Sequence, residues 1–265
     1  GWVAIMQDIT HLKELDRIKS EFVSVVSHDL RSPLTAILGY VELLSRAGPI
    51  TEMQAQFIQR VQRSVRNITS LIEDLLDLGR IEAGFDHAMQ TYHLSALIRD
   101  VIEGLRPTAE AKEQSIILNL PPHLSPNRGN PLRLRQVVHN LIDNAIKYSP
   151  NGGLIVIRGE ARIDDVVVNI SDQGVGISPE HLIPLFEKYF RVRNAATMHI
   201  SGTGLGLPIA RAIIEAHGGA IWVESPGYDE INCPGAIFHM LLPIRKEPPD
   251  PHAAKLYRPL TDSIR

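Results

Sequence analysis

The sequence predicts a multidomain α and α+β protein. A long helical hairpin pairs with a second copy as a four-helix bundle, and an α/β sandwich with its helices on one face follows it. Three observations carry this. Apolar residues between positions 11 and 84 recur at threes and fours, the period of a helix with one buried stripe. Ala47-Gly48-Pro49 interrupts that stretch and divides it into two helices. From residue 94 onward, short apolar strands alternate with helical segments, the pattern of a mixed layered domain.

Each element has its own signal. GWVAIMQDIT, residues 1–10, alternates like a strand that ends at Asp8 and Thr10, and reads as the exit of an upstream domain. The helix over 11–46 carries Leu15, Ile18, Phe22 and Val25, then Leu30, Leu34, Ile37, Val41 and Leu44. Thr51, with Gln54 three residues on, is a capping-box start. The second stripe runs through Phe57, Val61, Val65, Ile68, Ile72 and Leu75, and Gly84 closes the helix. Two helices of about 30 residues span about 45 Å each. One hairpin of that length cannot cover its own stripe, so two copies in a bundle is the economical solution. The alternative is a hairpin packed against its own second domain.

Residues 85–93 read as a hinge linker, 94–246 as the second domain and 247–265 as a Pro-rich tail. In the second domain, LSALIRDVIEGLRPTAEAK predicts a helix and SIILNL a strand. Asn130-Pro131 is an N-cap followed by a first-turn proline. A hairpin follows, turning at Asp164-Asp165, and Ser178-Pro179-Glu180 predicts another helix. Residues 191–203 read as a loop, LGLPIARAIIEAH as a helix ending at Gly218-Gly219, and IWVES and AIFHMLLPI as the last strands.

Bulk composition is that of an ordinary globular chain: 44% hydrophobic, 22% charged, net charge −3. That balance gives no electrostatic case for nucleic acid or a membrane surface. The lone Cys233 cannot form an internal disulfide, and no apolar run approaches the roughly 20 residues of a membrane helix. A cytoplasmic location fits, with no direct membrane contact by this segment, although an anchor elsewhere in a longer protein is compatible with it.

Four clusters carry chemistry. His28 lies about 200° around the helix from both Val26 and Leu30, away from the stripe. Asp29 adjoins it, and Pro33 removes the bond to the carbonyl of residue 29. An exposed imidazole beside a carboxylate suits nucleophilic attack on phosphorus, although an exposed histidine alone is an ordinary surface residue. Asn140, Asn144, Lys147 and Tyr148 share one face of the helix after Asn130, opposite Leu134, Val138, Leu141 and Ala145. Two carboxamides beside a lysine suit Mg2+ and phosphate oxygens; a plain solvated face is the competing reading. Asp172-Gln173-Gly174-Val175-Gly176-Ile177 follows a strand and offers a carboxylate for an amino group such as that of adenine. Gly202-Thr203-Gly204-Leu205-Gly206-Leu207 opens a helix with free amides for phosphate, preceded by a loop that could act as a lid. Lys188, Arg191 and Arg193 lie near the start of that loop.

In this order the motifs resemble those of the sensor histidine kinases. SHDLRSPL is similar to their phosphoacceptor box, NLIDNAIKYSP to the N box, DQGVGI to the first glycine box, LFEKYFRV to the F box and SGTGLGL to the second glycine box. The resemblance spans about residues 11–244, and residues 1–10 resemble the closing strand of a PAS sensor domain. It implies a dimerisation and phosphotransfer hairpin before a Bergerat (GHKL) ATP-binding domain. His28 would accept a phosphoryl group from ATP with Asp29 as base or orienting group, then pass it to an aspartate of a response-regulator receiver domain. Asn144, with Asn140 beside it, would hold Mg2+. Lys147, Tyr148, Lys188 and Arg191 would line the phosphate and nucleotide pocket. Asp172 would bind the adenine amino group against a wall shaped by Gly174, Gly176 and Ile177, and residues 202–207 would shape the lid and triphosphate site. Ser32 stands where phosphatase-competent relatives often carry Thr or Asn, which leaves that activity open. Asn130 stands where many have Asp. The alternatives are an ATPase of the gyrase and Hsp90 kind, which carries a Glu at the position resembling Asn140, and a non-catalytic dimeric scaffold.

Overall fold

The computed structural model describes residues 30, 32–44, 46, 48–82, 89–121, 124, 127–192, 194, 197–198, 200 and 202–244. The PAS-like strand at 1–10, His28, Asp29, Gly84, Arg193 and the tail lie outside the described residues.

Helix α1 covers residues 32–44 and helix α2 covers Glu52–Glu82. The capping box forms as its sequence requires. Gln54 N donates to Thr51 Oγ1 at 3.2 Å, and Thr51 N donates back to Gln54 Oε1 at 2.8 Å. The stripe is only partly covered within one chain. Val41, Val65 and Ile72 are buried, while Leu30, Ile37, Leu44, Phe57, Val61, Ile68 and Leu75 are exposed. Towards its C-terminal end α2 does something else: Leu78 and Ile81 enter the hydrophobic core of the second domain.

That domain begins earlier than the expected linker end. Strand β1, Gln90–Tyr92, pairs antiparallel with β3, Asn127–Gly129, and Tyr92 is buried. Three-residue strands are too short to show a period, so sequence alone does not announce them. Helix α3 is Leu94–Glu110, β2 is Ser115–Asn119 and α4 is Pro131–Tyr148. Strands β4, Leu154–Ala161, and β5, Asp165–Ser171, form the expected hairpin. Helix α5 is Gly206–Ala216, and β6, Ala220–Glu224, and β7, Ile237–Pro243, end the domain. The sheet order is β2-β4-β5-β7-β6, with only the β2/β4 pair parallel. The α/β sandwich is therefore as expected, and α3, α4 and α5 share one core with the sheet.

One expected helix is absent. After Ser178 the chain makes two short 3-10 turns, Pro179–His181 and Pro184–Phe186. Pro184 has no N–H to give the carbonyl of Glu180, and its ring would clash with that carbonyl in an α-helix.

Helix α4 is the domain's spine. Leu134, Val137, Val138, Leu141, Ile142, Ala145 and Ile146 are each at most 1% exposed. Burying each of the larger side chains stabilises the fold by about 1.5–3 kcal/mol. Its start is fixed by Asn130, whose Oδ1 accepts from Leu132 N at 3.1 Å and Arg133 N at 3.2 Å. The Asn130 backbone N–H donates to buried His217 Nε2 at 2.9 Å. Asn130→Ala should cost about 1 kcal/mol and Asn130→Asp close to nothing; thermal unfolding of the two variants beside the wild type checks this.

Candidate nucleotide site

A cavity of about 660 Å³ opens above the polar face of α4. From α4 it is lined by Asn140, Asn144, Lys147 and Tyr148, and the segment after β5 contributes Asp172, Gly174, Gly176 and Ile177. Gly202, Thr203, Gly204, Gly206 and Leu207 close the opposite side. Fourteen sequence-predicted residues thus meet in one place, Arg191 being the last of them. Lys188 is exposed and outside the wall, and Leu205 is fully buried in the core, so neither sits where expected. Leu205 precedes α5 directly, and its side chain joins the apolar stripe of that helix. Ser32 is exposed on α1.

The α4 residues are held from both sides. Asn140 Nδ2 donates to Gly206 O at 3.0 Å, tying the helix to the glycine loop and leaving its Oδ1 uncommitted in that bond. The Asn144 side chain has no hydrogen bond with another described residue. Lys147 pairs with Asp143 one turn back, a partner whose only signal in the sequence is the four-residue spacing. At the end of α4, Lys112 Nζ donates to Ile146 O at 2.7 Å and Ser149 O at 2.7 Å, and to Lys147 O at 3.2 Å. Gln114 Nε2 adds bonds to Ile146 O, Ser149 O and Pro150 O. A cation and an amide thus cap the negative end of the helix where Lys147 and Tyr148 project.

The glycines of the Asp172 segment serve the protein's own packing. A Cβ on Gly174 would lie 2.8 Å from Tyr148 O, and one on Gly176 1.9 Å from Gly227 O. Gly176 also has φ +75°, which side-chain-bearing residues rarely adopt. Asp172 itself is buried. Its Oδ1 accepts from Gly174 N at 2.8 Å and Ala236 N at 3.3 Å. Burial pushes the carboxyl up to about 6, against the opposing pull of those two backbone donors. Apolar Ile177, Phe190, Met198 and Phe238 line the same cavity, so a flat apolar ring with an amino group is chemically matched to it.

Arg191, expected near phosphate, instead spans the loop: NH1 donates to Gly202 O at 2.9 Å and NH2 donates to Ile200 O. The loop therefore has an internal tie. The sequence also gave no sign that α2 supplies a wall. Asn67, Ser70, Leu71 and Asp74 line the cavity, and Asp74 Oδ2 accepts from Thr203 Oγ1 at 2.7 Å. Close by, Asp77 binds Arg133 at 2.8 Å and accepts from Gln136 Nε2 at 2.9 Å.

A five-stranded mixed sheet under three helices, with a polar helix face and a glycine loop around one cavity, defines a nucleotide-binding ATPase-type domain. Comparison with known proteins agrees. Residues 129–246 match the family described as histidine kinase-, DNA gyrase B- and HSP90-like ATPase, and residues 18–84 match the His Kinase A (phospho-acceptor) domain. The chain belongs to the sensor histidine kinase family and carries both of its catalytic-region domains. It is 35% identical over 229 residues to sensor protein GacS of Pseudomonas syringae pv. syringae, covering 81% of this chain and 24% of that protein. Sensor histidine kinase WalK of Bacillus subtilis is 30% identical over 254 residues, covering 94% of this chain and 41% of WalK. The chain thus spans less than half the length of either curated relative. Full-length ShkA, crystallised in complex with AMPPNP, superposes with a TM-score of 0.69 at 26% identity, over 85% of this chain and 46% of that one. No helix among the described residues is long and apolar enough to cross a membrane.

The burial of Asp172 has two measurable consequences. Its folded-state carboxyl titrates near 6, above the 3.8 of an unperturbed aspartate. The folded state therefore holds the proton more tightly, and this contribution to stability is present below about pH 4 and lost as pH rises to about 6. Asp172→Asn keeps an acceptor for the two backbone N–H groups without the charge. It should stabilise the nucleotide-free domain at pH 7 by up to about 3 kcal/mol, read by denaturant unfolding. In the wild type, adenine-nucleotide affinity should fall as pH drops below about 6, and in Asp172→Asn it should be lost at every pH; calorimetric titration at pH 5.5 and 7.5 checks both.

Proposed function

We propose that this chain is the dimeric catalytic region of a sensor histidine kinase, which transfers the γ-phosphoryl group of ATP to His28 and then to a response-regulator aspartate. The observation that carries the proposal is the gathering of Asn140, Asn144, Lys147, Asp172 and the 202–206 glycine loop around one cavity, on a chain whose residues 18–84 match a phospho-acceptor domain. We divide the chain at 11–84, a short linker after 84, and a nucleotide domain to 246.

Asp172 receives the adenine amino group, and the apolar side chains around it exclude water. The glycine-loop amides at the start of α5 and the Lys147 ammonium face the phosphates. Asn144 and Asn140 fit a magnesium ion: the first carboxamide has no hydrogen-bond partner among the described residues, and the second has its Nδ2 anchored on Gly206 O and an oxygen to offer. An Mg2+ ion held by these two carboxamides would supply charge neutralisation on the phosphate oxygens. A neutral His28 ring nitrogen attacks the γ-phosphorus in line. The P–N bond forms as the bond to the β-bridging oxygen breaks, and ADP leaves with that electron pair. Asp29 orients the ring and takes up the proton from its other nitrogen. Most of the catalytic effect is placement and charge, so the nucleotide domain must reach the hairpin face that carries His28. Phosphatase activity through Ser32 is a separate proposal, resting on its hydroxyl alone.

The exposed stripe of α1 and α2 supports pairing of two hairpins. Leu44 is 60% and Phe57 56% exposed in one chain, and a second hairpin buries such a stripe. An ATPase of the gyrase and Hsp90 kind would need a base at position 140; Asn140 cannot take a proton and is already bonded to Gly206. Cytoplasmic exposure follows from the need for ATP and a receiver domain, and the upstream sensor remains part of this proposal.

With γ-labelled ATP and Mg2+, the chain should take up acid-labile, base-stable label, and His28→Gln should take up none. Asn144→Asp should lower the labelling rate at least tenfold while light scattering still reports a dimer. Label that persists in His28→Gln would assign the acceptor elsewhere.

A further inference from the structure

Helix α2 presents one face to the second domain over four turns. Asn67, Ser70, Leu71 and Asp74, spaced at threes and fours, line the nucleotide cavity. Leu78 and Ile81 continue that face into the core. The helix is thus anchored at its C-terminal end by apolar burial, while its middle closes the cavity through polar groups.

Asp74 makes the central contact. Its Oδ2 accepts the Thr203 hydroxyl at 2.7 Å, and Thr203 Oγ1 in turn accepts from Leu205 N at 3.2 Å. Thr203 lies in the loop whose amides would face phosphate. The charge of Lys147 also acts on Asp74. A carboxylate from the hairpin therefore occupies a hydroxyl at the phosphate end of the cavity, whose wall Lys147 also lines. Resting on the nucleotide reading above, we propose that Asp74 stands in for a phosphate group, so that docking of α2 and binding of a nucleoside triphosphate compete for the same partners.

Independent features agree. Burial, together with the neighbouring charges of Asp77 and Glu73, holds the Asp74 carboxyl above its ordinary range, against the opposing pull of the Thr203 hydroxyl and Lys147. Adding a triphosphate to the same enclosed space adds repulsion that no cation of α2 relieves: the α2 residues on the cavity are Asn, Ser, Leu and Asp. The second contact, Asp77 with Arg133 and Gln136, lies one turn on from Asp74, outside the cavity lining, and holds the docked position. Coupling between two binding events is reciprocal. If the triphosphate displaces α2, weakening the α2 contact must strengthen triphosphate binding. Adenosine has no group at that end of the cavity and is indifferent to Asp74. The consequence for the kinase is direct: ATP itself would loosen the domain from α2, the movement it needs to reach His28.

The test is calorimetric titration of the whole chain with AMPPNP and Mg2+, and separately with adenosine. The proteins are the wild type, Asp74→Asn, Asp74→Ala and the charge control Asp100→Asn, whose carboxylate pairs with Arg135 on the exposed surface. Both Asp74 variants should bind AMPPNP three- to tenfold more tightly, adenosine affinity should not move, and Asp100→Asn should match the wild type. Unchanged or weaker AMPPNP binding in the Asp74 variants overturns the inference, with weaker binding in Asp74→Ala alone marking a supporting hydrogen bond to Thr203 instead. Adenosine tightened as much as AMPPNP also overturns it, because the effect would then not be on phosphate. Saturable wild-type binding with unmoved variants defeats this inference alone; no saturable AMPPNP binding by the wild type defeats the nucleotide reading with it.

Discussion

Everything at the cavity depends on α4 being held at both ends. Its apolar face is sealed into the core, so the helix cannot roll, and the opposite face must present Asn140, Asn144 and Lys147 to the cavity. Rolling is only one freedom; fraying is the other. The N-terminal amides are met by Asn130, and the C-terminal carbonyls by Lys112 and Gln114, from a segment more than 30 residues away in sequence. Without that second cap the last turn, which bears Lys147 and Tyr148, would carry unmet carbonyls and a negative dipole end. The polar face is useful because the apolar face and both termini leave it no alternative position.

Asp172 shows the cost of a site ready for its ligand. A carboxylate buried against two backbone donors is less stable than a neutral group of the same shape, and the proposed recognition of adenine is the use that would require an anionic acceptor there. The two neighbouring glycines have a different reason than ligand approach. They let the end of α4 and the 226–235 loop come within contact of the Asp172 segment, which fixes where the carboxylate points.

The hairpin and the nucleotide domain are less separate than two independent units. The apolar stripe of α1 and α2 is bare over much of its length, as expected for helices awaiting a second copy, yet Leu78 and Ile81 at the far end belong to the other domain's core. Intramolecular packing thus holds for the C-terminal end of α2, and the exposed remainder of the stripe is the surface that the proposed pairing of two hairpins would bury. The polar middle of the helix lies between them, and there the contacts include the Asp74–Thr203 hydrogen bond and the Asp77–Arg133 ion pair. Such contacts are individually modest and exchangeable, which makes that stretch the place where the two parts can separate.

The sequence by itself determined the local features: helix α2 with its Thr51 capping box, the Asn130 cap, the β4–β5 hairpin and the clustering of site residues on one face of α4. These are legible because they depend on spacings of two, three or four residues, which backbone geometry imposes directly. Residues 172 to 177 and 202 to 207 read from spacing as two separate glycine clusters, and only their resemblance to the family's boxes joined them into one expected site. Tertiary structure decided the rest. The short β1–β3 pair, the Lys112 cap, the sealing of Leu205 into the core and the reach of Asp74 to Thr203 join positions far apart in the chain. No periodicity encodes such contacts; they exist only once the sheet and three helices have fixed which surfaces face each other.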